Sequence, residues 1–284
     1  SFLAYELEPT YSYGYATSRV LGAYTTWSTD NAVGYRFTER VGTYSGLKLM
    51  NTTYSDAEDN DRFNWELYNQ FRYQLSPQTV LTAEYRFSQL DASGAASDSQ
   101  NHFFLVGTEK RYSSTLSGTL AMGLQYREVD QGASESSPYL QFAVNAKVTE
   151  DFMFRAFTRY GIEAYDTVLT HPDSDIGLVE FDDRRTLRIG VSSDYAVSPT
   201  LSLVGGLDYI PTSFQGGRSV SGTSFTGSIS DVEDDMVNAY IGVSVKINEM
   251  VSANSYYNYT DSSSDAPGRA YDRSRISVGV SAKF

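Results

Sequence analysis

Apolar and polar residues alternate along most of the chain with a period of two, which is typical of β-strands whose two faces meet different surroundings. The pattern is clearest in the final segment, ISVGVSAKF, where every second residue from Ile276 is apolar or aromatic and the residues between are small or polar. The segments that begin at Leu81, Leu140, Leu187 and Met236 alternate in the same way. Residues 103 to 111 fit either parity, and residues 41 to 54 alternate more weakly. The pattern predicts a sheet with one apolar face and one polar face.

The alternating segments and the turn-forming residues between them predict about fourteen strands. Residues 16 to 30 are either a loop or one further strand. Because an antiparallel sheet needs an even number of strands to close, we choose fourteen, with sixteen as the alternative. The predicted strands are residues 3 to 15, 31 to 38, 41 to 55, 63 to 74, 79 to 90, 102 to 112, 115 to 127, 138 to 148, 152 to 165, 184 to 196, 201 to 211, 236 to 247, 251 to 260 and 273 to 284.

Two kinds of connection take turns along the chain. Short polar connections, typical of hairpin turns, lie at residues 38–41, 75–78, 113–114, 149–151, 197–200 and 248–250. Longer connections rich in Asp, Glu, Ser and Gly begin at Asp56, Asp91, Glu128, Thr167, Ser213 and Asp261. The repeating unit is therefore strand, tight turn, strand and long loop, which puts all short turns at one end of the sheet.

The composition supports β-structure and narrows the class of protein. The chain has 284 residues, of which 14% are aromatic and 23 are tyrosines, and it contains no cysteine. Its net charge of −13 makes nucleic-acid binding improbable, because phosphates require a basic surface. Its runs of apolar residues are too short for a transmembrane helix. The chain starts at Ser1 without a charged and apolar leader, so we expect any signal peptide to have been cleaved.

Long alternating strands favour a membrane barrel over a soluble one. Strands of soluble sandwiches average about five or six residues, whereas a barrel in the outer membrane needs about ten. Such a barrel turns apolar residues to lipid and polar residues to its lumen, and it combines short turns with long loops. Tyrosines of the apolar faces fit interfacial girdles: Tyr35, Tyr73, Tyr85, Tyr126, Tyr160, Tyr195, Tyr209, Tyr257 and Tyr259. We predict a single all-β domain over residues 1–284, a transmembrane antiparallel up-and-down β-barrel.

The C-terminal segment resembles the membrane-insertion signal of Gram-negative outer-membrane β-barrel proteins, an amphipathic last strand that finishes in an aromatic residue. The residues that carry this resemblance are Ile276, Val278, Val280, Ala282 and Phe284. The recurring segments SPQTVLTAEYRF, SSTLSGTLAMGLQY and SPTLSLVGGLDY are similar to the families described as putative β-barrel porins. The resemblance implies a location in the outer membrane and contact with its lipid and lipopolysaccharide. It also implies help from the barrel assembly machinery; homo-oligomers and an envelope protein partner both stay open.

Parity assigns a mixed set of charged residues to the predicted lumen, while most carboxylates fall in the long loops. The predicted pore-lining residues are Arg36, Lys48, Glu66, Arg72, Glu84, Arg86, Arg127, Lys147, Arg155, Arg159, Glu163, Arg188, Asp194, Asp208 and Lys246. Seven of these are expected near mid-height: Lys48, Glu66, Glu84, Arg86, Arg159, Arg188 and Asp208. Charged rings of this kind set selectivity in pores, so we expect passive diffusion of ions and small hydrophilic solutes.

Two other functions stay open. The same charges could pair with one another and seal the interior, which would give a non-conducting structural or surface-interaction barrel. Alternatively, the barrel could be the transmembrane sleeve of a larger export or electron-transfer assembly.

Metal binding and catalysis are not expected. The acidic segment at Asp56 lacks the glycine and the final glutamate of a calcium-binding EF-hand loop, so a solvated surface is favoured over a cation site. His171 has Asp173 and Asp175 nearby, and His102 lies at a strand end, but neither has a recognisable nucleophile or oxyanion hole. We therefore predict no enzyme activity, no metal and no cofactor.

Overall fold

A single antiparallel sheet dominates the computed structural model, which describes residues 2–6, 24–54, 61–93, 98–130, 134–170, 178–215, 217–219 and 231–282. Its strands are β1 (Phe2–Glu6), β2 (Tyr24–Arg36), β3 (Val41–Tyr54), β4 (Arg62–Ser76), β5 (Thr79–Ala92), β6 (Ser99–Arg111), β7 (Leu116–Val129), β8 (Glu135–Lys147), β9 (Phe152–Thr170), β10 (Leu178–Ser198), β11 (Leu201–Gln215), β12 (Arg218–Ser219), β13 (Val232–Lys246), β14 (Val251–Ser264) and β15 (Tyr271–Ala282).

Each strand pairs with its neighbour in the chain, so the topology is up-and-down throughout. The order runs from β1 to β11 and on through β13, β14 and β15, while the short β12 pairs with β10. This architecture confirms the predicted all-β up-and-down fold. Pairing between β1 and β15 is not seen in the described residues. In the same part of the chain, no helix is long and apolar enough to cross a membrane.

Several predicted strand boundaries were wrong, and two of the differences lie in segments expected to be loops or left open. β2 already begins at Tyr24 and pairs along its whole length with β3, from Tyr24↔Tyr54 to Arg36↔Gly42, so residues 24 to 30 belong to the strand predicted to begin at residue 31, while residues 16 to 23 lie outside the described residues. The loop predicted from Thr167 to Asp183 is shorter, since β9 continues to Thr170 and β10 starts at Leu178. Polar residues in these segments interrupt the alternation from which strands were predicted. Backbone pairing does not need apolar side chains, so the strands continue through them.

The strand count follows from these boundaries. Among the described residues, 13 strands have 12 to 21 residues, and β1 is a short strand of 5 residues beside them. The predicted strand at residues 3 to 15 is seen only from Phe2 to Glu6, and the rest of it lies outside the described residues.

Four short turns share one hydrogen-bonding pattern, in which a polar side chain accepts from the backbone two and three residues later. Thr38 Oγ1 accepts from the N–H groups of Arg40 and Val41 at 3.2 and 3.1 Å. The same role is filled by Ser113, Ser198 and Asn248. Such Asx and Ser/Thr turns occupy backbone donors that a tight turn leaves without a partner. These turns all lie at the same end of the sheet, as predicted.

Burial across the sheet is the reverse of that in a soluble protein. The apolar face is exposed, with Leu124 at 62% and Ile241 at 60%, whereas polar Gln125 and Asn238 are each only 1% exposed. Soluble proteins bury apolar groups and expose polar ones, so this sheet is built for an apolar medium on the outside. We call the face of Leu124 and Ile241 the outer face and that of Gln125 and Asn238 the inner face.

A charge on the outer face should destabilise the protein much more than the same charge on the inner face. We expect Ile241→Arg to lower the free energy of unfolding by about 2–4 kcal/mol, because the guanidinium would enter the lipid midplane. Ser244→Arg, on the inner face of the same strand, should change it little. Urea unfolding from lipid vesicles, followed by tryptophan fluorescence, measures both. Equal losses in the two variants would contradict the assignment of the faces.

Candidate functional site

The inner face carries most of the predicted charged residues and brings them into two separate groups. Side chains on this face also reach across an intervening strand. Arg72 on β4 makes two hydrogen bonds with Glu109 on β6, at 2.7 and 2.5 Å, with β5 lying between them. Contacts of this kind are expected on the concave side of a curved sheet.

The first group, which we call the paired network, crosses β2 to β5. Pairing aligns Asp30 with Lys48 and Lys48 with Glu66 on successive strands. Lys48 Nζ lies 2.9 Å from Glu66 Oε1, and Arg86 approaches Glu66 at 3.8 Å and Glu84 at 2.6 Å. Lys48 keeps 46% of its side chain exposed while that of Glu66 is 15% exposed, so the lysine is the more open of the two to water.

A glutamine and a further carboxylate extend this network to β6. Gln70 Nε2 donates to Glu84 Oε2 at 2.8 Å, and Arg72 donates to Gln70 Oε1 at 2.5 Å as well as to Glu109. Sequence reasoning missed Glu109 because its segment fits either parity. It missed Asp30 because that residue falls in the segment whose structure was left open.

The second group, which we call the arginine strip, consists of Arg155 and Arg159 on β9 and Arg188 on β10, together with the ring of Phe157. Arg188 donates to Asp208 Oδ2 at 2.8 Å, and the side chain of Asp208 is only 4% exposed. The guanidinium carbons of Arg155 and Arg188 lie 5.5 and 5.3 Å from the centre of the Phe157 ring.

The remaining predicted residues lie nearer the ends of the strands. Arg36, Lys147, Asp194 and Lys246 are exposed and towards the short turns, and Arg36 Nε donates to the carbonyl of Thr38 at 3.0 Å. Arg127 is buried in the half of the sheet nearer the long loops. Glu163 pairs with Arg184 in the backbone ladder, and its side chain is outside the described part.

The proposed insertion signal is described only in part. Ile276, Val278 and Val280 are exposed on the outer face of β15. The side chain of Ala282 and all of Phe284 lie outside the described residues.

Gln125 on β7 makes the hydrogen bonds to β9 that the backbone of β8 does not make. The ladder between β8 and β9 ends at Leu140↔Tyr160, and continuing its register would set Pro138 opposite Ile162. Proline has no N–H to donate. The Gln125 amide instead accepts from Ile162 N at 2.9 Å and donates to Ile162 O at 2.7 Å. It also donates to Asn101 Oδ1 at 3.0 Å, so both N–H groups and the oxygen of the buried amide have hydrogen-bond partners.

Apolar side chains fill part of the interior in the half of the sheet nearer the long loops. Phe103, Leu105 and Tyr139 form one buried cluster, and the guanidinium of Arg86 lies 5.4 Å from the Phe103 ring. A larger cluster, which we call the loop-end cluster, contains Val179, Phe181, Phe214, Val232 and Ala266.

The segment after β11 folds directly onto the loop-end cluster. A Cβ added at Gly217 would lie 2.7 Å from atoms of both Phe181 and Val179, so this close approach requires glycine. Arg269 reaches the cluster from the β14–β15 connection, with its guanidinium 5.4 Å from the Phe214 ring and an ion pair to Asp234 at 2.7 Å. The interior is therefore packed towards the long loops and more open towards the short turns.

Comparison with known families supports the predicted resemblance. The C-terminal part of the chain, residues 182–284, matches the family described as "Putative beta-barrel porin 2". This confirms the predicted resemblance to β-barrel porins and supports a channel-type role. No curated protein sequence matches the chain significantly.

Solved structures of outer-membrane proteins share the fold. The FrpB iron transporter from Neisseria meningitidis (F5-1 variant) aligns with TM-score 0.51 and 9% identity, over 92% of this chain and 49% of that one. The chain thus spans about half the length of FrpB. In vitro folded OmpT of Vibrio cholerae gives 0.47 and 9% identity, over 91% and 95% of the two chains. A FadL homologue from Pseudomonas aeruginosa gives 0.46 and 11%, over 97% and 82%.

The fold seen here is that of outer-membrane β-barrel proteins. Of the three similarities, the one to FrpB exceeds a TM-score of 0.5 and carries this conclusion. Together with the porin family match, the fold supports the predicted location in the outer membrane of a Gram-negative bacterium.

Replacing the Gln125 amide with a carboxylate should loosen the joint between β7, β8 and β9. Gln125→Glu removes both donors and sets a buried charge against the Ile162 carbonyl, so we expect a loss of roughly 1–3 kcal/mol in the free energy of unfolding. The matched variant Gln141→Glu makes the same chemical change at an exposed inner-face site and should cost little. Urea unfolding in vesicles compares the two. If both variants were equally stable, Gln125 would not bridge the strands as described.

Proposed function

We propose that the sheet closes into an outer-membrane barrel whose inner face lines a water-filled channel for passive diffusion of ions and small hydrophilic solutes. The observation that carries the proposal is the accessible charge on the inner face. Lys48, Arg155, Arg159, Lys147 and Lys246 are all exposed although they lie on the face that also buries Gln125 and Asn238. Exposed charges on a sheltered face require water beside them.

The two charged groups give such a channel a charged middle section. Salt bridges of the paired network hold carboxylates and cations against the wall on β3 to β6, and the arginine strip lies on β9 and β10. Fixed charges of both signs around a narrow passage create a field that filters solutes by charge. Ion selectivity is therefore expected to depend on these side chains more than on the acidic loops.

A second candidate function is a barrel that does not conduct. It is favoured by the dense packing near the long loops, where Gln125, Arg127 and the loop-end cluster are buried. In that case the ion pairs and apolar clusters would seal the interior, and the protein would act as a structural or surface-interaction barrel.

Conductance of the purified, refolded protein in a planar lipid bilayer tests the proposal. We expect stable open steps, because the exposed charges of the inner face would lie beside a continuous aqueous path. Far-ultraviolet circular dichroism and heat-dependent mobility on gels establish that the protein used is folded.

The outcome that would contradict the channel is silence from folded protein. A second variant keeps this outcome informative: Phe214→Ala removes the centre of the loop-end cluster. If this variant conducts while the unmodified protein does not, the loop-end cluster seals the barrel and the second candidate is correct.

A further inference from the structure

We propose that the arginine strip is a binding site for small anionic solutes that carry a carboxylate or phosphate group. This inference rests on the proposed channel function, since the solute reaches the strip through the lumen. It names the class of solute that the channel selects.

The two central arginines of the strip face each other across neighbouring strands. Arg159 on β9 and Arg188 on β10 are direct partners in the backbone ladder and project on the same face. Cβ atoms of such partners are about 5 Å apart, and like charges placed directly opposite one another are unfavourable. Two guanidiniums carried by such neighbouring positions are stabilised by an anion held between them.

Only part of this positive charge is neutralised by neighbouring residues. Arg188 is paired with Asp208, whose side chain is nearly buried. Arg159 is exposed, and it has no ion-pair partner among the residues whose side chains the structure describes. Asp194, further along β10, is an exposed carboxylate near the short-turn end. The guanidinium of Arg159 is therefore available to an incoming anion.

Neutral polar groups flank the strip where an anion would have to enter. Gln141 on β8 is the ladder partner of Arg159, and Asn145 is the partner of Arg155. On the other side, Ser192 on β10 lies opposite Arg155. Amide and hydroxyl groups can donate to an anion without repelling it. No carboxylate has to be displaced from these ladder positions.

The paired network offers no comparable site. Lys48, Arg72 and Arg86 each have a carboxylate within 2.9 Å, so a solute anion would compete with groups already bound. Anions would therefore bind at the strip on β9 and β10 and not at the paired network.

Phe157 holds two arginines of the strip in place. Its ring lies close to the guanidiniums of Arg155 and Arg188, and Gly190 makes room for it. A Cβ at Gly190 would lie 2.5 Å from Phe157 Cζ and 2.2 Å from Asp208 Oδ1. Cation–π contacts restrict the rotamers of both arginines, so less entropy is lost when a ligand binds. Arg155 lies four residues from Arg159 on the same face, about 13 Å away, and could contact a second anionic group.

Binding measured directly, apart from conductance, tests the site. Isothermal titration of refolded full-length protein in neutral detergent, with citrate and with inorganic phosphate as separate probes, is compared between the unmodified protein and Arg159→Gln. We expect the variant to bind about tenfold more weakly, as loss of one charge-assisted contact predicts. The probe that binds more tightly identifies the carboxylate or the phosphate as the preferred group.

A matched variant separates a local site from general charge. Lys246→Gln removes the same charge from the same face near the short turns and should leave probe affinity unchanged, whereas Arg159→Lys should restore part of it. In bilayers, reversal potentials under a salt gradient should shift towards cations in Arg159→Gln more than in Lys246→Gln.

The outcomes distinguish the two proposals. Equal weakening by Arg159→Gln and Lys246→Gln, or no binding of either probe by folded protein, would overturn the arginine strip as a site. Probe binding that depends on Arg159 in a protein that does not conduct would support the site and reject the channel.

Discussion

The need to pair every backbone N–H and C=O group inside a lipid layer shapes this molecule more than any side-chain contact. Water is absent there, and an unpaired group costs several kcal/mol. Long antiparallel strands meet this need, with ladders such as Leu201↔Val245 to Phe214↔Val232 running without interruption. Where Pro138 interrupts a ladder, the amide of Gln125 supplies the missing donor and acceptor. At this position a side chain completes the hydrogen bonding of the backbone.

Backbone pairing leaves the side chains free to divide between two media. The outer face meets lipid with aliphatic and aromatic residues, and the inner face gathers charges that would be unstable outside. Inner side chains also reach across intervening strands, as Arg72 does to Glu109, so their ion pairs link strands that are not neighbours in the sheet. The same contacts that stabilise the interior therefore determine which charges stay open to solutes.

The sequence could predict the fold and the faces because the side-chain period of a strand is two and does not depend on distant contacts. It could not predict features that depend on which strands meet. Asp30 joins the paired network only because its strand aligns it with Lys48, and Phe181 meets Phe214 only through packing at the loop end. Parity placed Arg159 and Arg188 on one face, but their direct pairing is a matter of register.

Register also explains why total charge is a poor guide to the interior. The chain carries −13 overall, yet its inner face holds an exposed arginine beside a second one whose charge is shared with a nearly buried carboxylate. Interactions between exposed charges more than about 8–10 Å apart are largely screened at physiological salt, so distant acidic loops would act weakly on a solute in the proposed channel. A solute beside the inner face would respond mainly to the few side chains that it contacts. The position of each charge in the ladder, and not the sum of the charges, therefore determines what the inner face attracts.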